Sequence, residues 1–245
     1  MAVVGFFDGA SAADMPVKAP MISSTAIYNW SGWYVGGDAG WQGSSIGLSS
    51  SAPGATLTYS PRHSSVAFGG FAGYQHQFGQ FVLGLEGGYM AGNGSASLGP
   101  TPTTSIFNLP LAGSSAASTK LKDSWSIGGR AGVAMGPKGD WLPYLAAGYA
   151  SGRFGFFARN IIPAGLVETA NATSNGAYVG AGLDWAAWKN ALGDADLILG
   201  LEYRHYFFNP TVVTATRSDG FTEPVRFDPK TDAVMARISL KLNPR

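Results

Sequence analysis

The chain has 245 residues, a length that suits one barrel or sandwich domain, and its lack of cysteine excludes disulfides and thiolate metal sites. Sixteen Lys and Arg against fifteen Asp and Glu leave a net charge of +1, which excludes an electrostatic nucleic-acid footprint. Charged residues are scarce at 13% and glycine is abundant at 35 residues, yet no run reaches the roughly 18 apolar residues of a membrane helix.

At the amino end, Ala10-Ser11-Ala12 has the small-residue character of a signal-peptidase site, so residues 1–12 read as the remnant of an export signal. Residues 13–32 contain Pro16 and Pro20 without alternation and read as a periplasmic linker.

From residue 33 the chain alternates with a period of two, the signature of strands. Trp33 to Gly43 sets Trp33, Val35, Ala39 and Trp41 against Tyr34, Gly36, Asp38, Gly40 and Gln42. A Ser-rich stretch broken by Pro53, Gly54 and Pro61 then predicts a loop over 44–64. Ser65 to Gln77 and Phe81 to Gly92 form a hairpin across Phe78-Gly79-Gln80, with Glu86 on the small-residue side of the second strand. Residues 93–119 read as a second long loop.

The fourth strand, Lys120 to Met135, puts Leu121, Trp125, Ile127, Ala131 and Val133 on one face and Lys122, Ser124, Ser126, Gly128 and Arg130 on the other. A tight turn at Gly136 to Asp140 leads to the fifth strand, Trp141 to Phe157, whose mixed parity over Tyr144 to Tyr149 predicts a bulge. After a loop over 160–175, the sixth strand (Gly176 to Trp188) aligns Asp184 with inward glycines. The seventh (Ala195 to Phe208) has Leu197, Leu199, Leu201, Tyr203 and Phe207 on one face and Ile198, Gly200, Glu202, Arg204 and Tyr206 on the other. A fourth loop over 209–230 precedes the eighth strand, Thr231 to Asn243, which carries Arg237 and Lys241 opposite Val234, Ile238 and Leu240.

The count is even, and long connections follow strands one, three, five and seven while short ones follow two, four and six. That rhythm predicts an all-β fold: an eight-stranded antiparallel up-and-down barrel in the bacterial outer membrane, with four long extracellular loops and short periplasmic turns. Aromatics of one parity eight residues apart, Trp33 with Trp41 and Phe81 with Tyr89, mark two interfacial girdles. The residues assigned to the girdles are Trp33, Trp41, Phe68, Tyr74, Phe81, Tyr89, Trp125, Trp185 and Tyr203.

The opposite parity gathers Asp38, Glu86, Arg130, Asp184, Glu202, Arg204 and Arg237 in the lumen. An eight-strand interior is only wide enough for side chains, and buried charges are tolerated when paired, so a lumenal ion-pair network that plugs the barrel is expected. The alternative is a narrow pore for small solutes. Lys122 and Lys241 share this parity near the ends, where solvent would reach them.

A lipid-modifying enzyme is a third reading, resting on the His63/Ser65 spacing, but no partner acid marks it and the expectation is that the chain is not an enzyme. His63, His76 and His205 lie in separate segments, so no metal site and no cofactor are expected, and His205 fits an interfacial belt.

Tyr28-Asn29-Trp30-Ser31-Gly32-Trp33-Tyr34-Val35-Gly36-Gly37, following Ala13-Asp14-Met15-Pro16, resembles the start of the alphaproteobacterial outer-membrane immunogenic proteins, a family of small porin-like barrels. Gly69 to Gln75, Leu83 to Gly87, Pro143-Tyr144 and Leu201 to Arg204 extend the resemblance over most of 28–242. It implies a surface-exposed antigenic protein that supports envelope integrity. The expected partners are outer-membrane lipid and lipopolysaccharide, the barrel assembly machinery, and a host or envelope partner at the loops. The chain departs from outer-membrane barrels that end on an aromatic residue, since it closes Leu242-Asn243-Pro244-Arg245.

Overall fold

The structure is a computed structural model that describes residues 27–52, 55–59, 62–92, 95–97, 101–102, 114–160, 167–218, 220 and 222–242. The described residues form strands and turns without helices: β1 (Gly32–Ala52), β2 (Ala55–Tyr59), β3 (Arg62–Phe78), β4 (Phe81–Gly92), β5 (Ser95–Ser97), β6 (Thr101–Pro102), β7 (Ser114–Val133), β8 (Trp141–Asn160), β9 (Val167–Leu192), β10 (Ala195–Phe208), β11 (Thr211–Arg217) and β12 (Thr222–Leu242).

Eight of these close a ring. Going round it, β1 pairs with β3, then come β4, β7, β8, β9, β10 and β12, and β12 returns to β1, every pair antiparallel. The closing seam runs from Trp33 opposite Leu242 to Ser50 opposite Val225. The short strands β2, β5, β6 and β11 extend β1, β7 and β12 at one end. All three tight connections, after Phe78, Val133 and Leu192, lie at the other, and the outer-membrane pattern makes that end periplasmic.

Alternation decides which way each side chain points. On β4, Phe81, Leu83, Leu85 and Tyr89 are exposed while Val82, Glu86 and Met90 are buried. On β10, Leu201, Tyr203 and Phe207 face out and Ile198, Glu202, Arg204 and Tyr206 face in. Inward glycines make the interior habitable. Gly128 and Gly148 face each other across β7 and β8, and a Cβ at Gly148 would stand 2.8 Å from the Tyr178 ring.

Three expectations change. The polar stretches 44–64, 160–175 and 209–230 are for the most part paired strand, because their backbone groups continue the barrel's hydrogen-bond ladders beyond the membrane. Much of 93–119 lies outside the described residues. The bulge expected in the fifth strand is absent there, since β8 pairs with β9 in unbroken register from Trp141 to Arg159. It sits instead on β7, where Leu121 pairs with Phe154 and Asp123 with Arg153, leaving Lys122 as the extra residue. Beyond the bulge parity inverts: Leu121 is buried and Lys122 is exposed, the reverse of the simple alternation.

The register also gives a test of the lipid face. Leu199 lies opposite Ile238, which lies opposite Gly37, midway between Trp33 and Trp41. Leu199→Arg is expected to lower stability by about 2–4 kcal/mol, the cost of a cation on the lipid face near the bilayer midplane. Urea unfolding in phospholipid vesicles measures it, and a cost under about 0.5 kcal/mol would contradict the assignment.

Candidate functional site: the lumen

At its waist the lumen is filled by charge. Glu86 on β4 is the hub: its Oε1 accepts from Arg204 Nη2 at 2.6 Å, and its Oε2 from Arg237 Nη2 at 2.6 Å and from the Tyr34 hydroxyl at 3.0 Å. Arg130 Nη1 stands 3.5 Å from the same Oε2 and reaches Asp184 with its other nitrogen. Glu202 accepts Arg204 Nε at 2.7 Å and Nη2 at 3.1 Å, and also Arg237 Nη1. Glu202 and Arg204 meet because residues two apart on a strand share a face. Three guanidinium groups therefore balance three carboxylates, and none of the six side chains is more than 9% exposed.

Aromatic rings complete the packing. The Arg130 guanidinium lies 3.8 Å from the centre of the Tyr144 ring, Arg237 lies 3.8 Å from that of Phe71, and Arg204 lies 4.9 Å from that of Tyr178. Such stacking suits the planar, weakly hydrated guanidinium. With Tyr34 on β1, Phe71 on β3, Tyr144 on β8, Tyr178 on β9 and Arg237 on β12, every strand of the ring contributes. These four aromatics were not among the sequence-derived site residues. Their signal was a bulky ring on the otherwise small inward parity.

Asp38 departs from the expected network. It faces the lumen, yet it makes no ion pair among the described residues and its buried Oδ1 has no hydrogen-bond partner. With Ser124, Ser126, Arg204 and Tyr206 it lines a cavity of about 10 Å³. That is room for one water, the ordinary partner of a polar atom left so placed.

Apolar layers close the waist on both sides. Outward of it pack Met90, Leu121, Phe154, Tyr206, Phe208, Val225, Phe227 and Met235. On the turn side Tyr28 and Trp30 join Val82, Leu142, Ala186 and Ile198. Residues 27–31, grouped with the linker on sequence, thus cover the periplasmic mouth. Trp30 is fully buried; its Nε1 donates to the Gly139 carbonyl at 2.8 Å, its backbone N–H to Gln77 Oε1, and its carbonyl accepts from Gln75. Gly139 has φ +64, and a Cβ there would meet Ile27 at 2.7 Å.

The Tyr28 hydroxyl donates to Asp196 at 2.8 Å; burial, and then that bond, push its ionisation well above the ordinary phenol range. Lys241, expected to meet solvent, is instead 1% exposed, donating to the Asn29 carbonyl at 2.7 Å beside Asp196. The segment that covers the mouth supplies the acceptors that keep it dry.

On the outer surface, Trp33, Tyr74, Phe81 and Trp185 ring the turn end and Trp41, Phe68, Tyr89, Trp125 and Tyr203 the other. Trp185, less exposed than the rest, stacks on Trp141 at 5.6 Å. His205 lies beside this upper belt, its Nδ1 2.6 Å from Asp232 Oδ1, the oxygen that also accepts from Tyr203. His76 lies outside near Phe78, and the side chain of His63 is outside the described residues. Among the described residues no group of His, Asp and Glu is arranged to hold a metal ion.

The family model for the outer membrane protein beta-barrel domain matches residues 19–222. No curated protein matches the chain in sequence. Among solved structures, the outer membrane protein OprG from Pseudomonas aeruginosa is 13% identical with a TM-score of 0.50, over 87% of this chain and 97% of that one. Neisserial surface protein A is 17% identical with a TM-score of 0.35, over 86% and 98%. The outer membrane protease OmpT from Escherichia coli is 7% identical with a TM-score of 0.49, over 90% and 100%. At these identities the likeness is one of fold. The expectation that the chain is not an enzyme is withdrawn, since the outer-membrane barrels include a protease, OmpT. On the match over 19–222, with the closed ring of eight strands, the chain belongs to the outer membrane protein beta-barrel domain family and is a protein of the bacterial outer membrane.

Proposed function

We propose that this is a structural, surface-exposed barrel that contributes to envelope integrity and surface interaction, with its lumen plugged by charged side chains. The observation that carries the reading is the waist: three arginines and three carboxylates, each at most 9% exposed, between two apolar layers. An eight-strand ring has no room to conduct past such a filling. The Tyr28 to Gly37 motif supports a place among the antigenic barrels of alphaproteobacteria. The outward aromatics support their assignment as two girdles seated at the membrane interfaces. Lipopolysaccharide around the upper girdle, the assembly machinery, and a host or envelope protein at the extended end are the partners this role requires.

The test is ion conductance of the refolded protein in a planar bilayer, with Arg130→Ala beside wild type. Inserted but silent wild-type protein is the expected result. Steady wild-type channels whose conductance changes in Arg130→Ala would replace the plug with a narrow diffusion pore.

A further inference from the structure

The bulge on β7 turns Lys122 from the lumen to the outer surface. There its chain crosses β8 over Gly155, where a Cβ would stand 3.1 Å from Lys122 Cε, and its Nζ donates to Asn171 Oδ1 on β9 at 2.8 Å. Asn171 is a neutral acceptor, and among the described residues Lys122 makes no ion pair with a carboxylate. Beside it Arg153 is held by Asp123, with Nε to Oδ1 at 2.6 Å and Nη2 to Oδ2, and Asp123 also accepts from the Tyr89 hydroxyl at 2.9 Å. The Arg153 side chain is nonetheless 65% exposed and keeps donors to spare.

Directly toward the membrane on the same strands, Trp125 and Tyr149 pack at 5.4 Å. Farther down, still on the lipid face, small residues open a groove of about 580 Å³, with Gly129, Ala131 and Ala147 as its floor and Leu83, Leu145 and Val179 as its walls. Along β8 from Leu145 to Arg153 the outer surface thus passes from apolar groove to aromatic pair to cation. That order matches a lipid from acyl chain to glycerol or sugar to phosphate. Bulges re-aim side chains at barrel rims, and this one delivers a cation to headgroup height.

We propose that the outer surface of β7, β8 and β9 binds one phosphate-bearing lipid of the outer leaflet, its acyl chains in the Gly129/Ala147 groove and its phosphate between Lys122 and Arg153. The site deepens the lipid partnership put forward above and rests on the barrel's place in the outer membrane. Charge complementarity selects the occupant: among the described residues Lys122 and Arg153 against Asp123 leave a net positive patch, so a phosphomonoester is favoured over a zwitterionic or neutral headgroup.

The experiment is native mass spectrometry of the full chain, folded in detergent, with equal amounts of bisphosphorylated lipid A and its dephosphorylated form. The expected result is retention of the phosphorylated lipid by about tenfold, with about fivefold from Lys122 and less from Arg153, whose charge Asp123 partly cancels. Lys122→Gln/Arg153→Gln, checked for folding by its heat-dependent gel shift, should abolish the preference. Ala147→Phe, which fills the groove, should lower retention of both lipids alike. Equal retention of the two lipids by wild type, or a preference that survives the double substitution, overturns the site. Neither result bears on conductance, so a failed lipid site and a failed plug are told apart.

Discussion

Glu86→Ala lowers the stability of the folded barrel by about 3–5 kcal/mol, the range for removing one partner of a buried ion pair. The change takes away acceptors from Arg130, Arg204, Arg237 and Tyr34 together, and leaves Glu202 and Asp184 to balance three guanidinium groups in a space closed to bulk water. Asp38→Asn is the matched control. It sits on the same inward parity but holds no ion pair among the described residues, so its substitution is expected to change stability by about 1 kcal/mol or less. Urea unfolding in phospholipid vesicles, followed by tryptophan fluorescence, reads both. Equal costs at the two positions would mean that the network is not centred on Glu86.

Trp30→Ala carries the other large effect. Trp30 is fully buried, packs edge-on against Tyr28 at 4.8 Å, and bonds the turn at Gly139 that joins β7 to β8. Truncating an aromatic of this kind costs about 3–5 kcal/mol through the void it leaves, and the Gly139 carbonyl loses its donor as well. Trp33→Ala, three residues on but facing outward, leaves the hydrogen bonds of the mouth intact and should cost less. If Trp33→Ala proves the more damaging in the same urea assay, residues 27–31 are a loose flap and not a cover.

The lumenal face was legible in the sequence because in a membrane barrel the two parities meet opposite demands. Lipid forbids charge on one side, and a narrow interior forbids bulk on most of the other, so Glu86, Arg130, Asp184, Glu202, Arg204 and Arg237 stood out among glycines and serines. Beyond the girdles both faces are wet and the alternation fades, which is why Ser44 to Ser51 read as loop although it is paired strand. The bulge at Lys122 left no trace either, since Leu121 is acceptable on the lipid face and in the lumen alike. Tyr144 and Tyr149 looked like an irregularity because aromatics serve on both sides, one stacked under Arg130 and the other beside Trp125. Residues 27–31 are too few to show any period, and their role depends on Gly139 and Lys241, far away in sequence.

The ladder between β1 and β12 continues from Trp41 to Ser50 past the upper girdle, about 30 Å of strand at the usual rise per residue. A surface built this way is already ordered before anything meets it. An antibody or envelope partner that recognises it would pay little to freeze the chain, and would read a shape assembled from distant segments. Epitopes on this end should therefore be conformational, lost on boiling and absent from linear peptides, and the neighbouring strands should drift in sequence only as pairs.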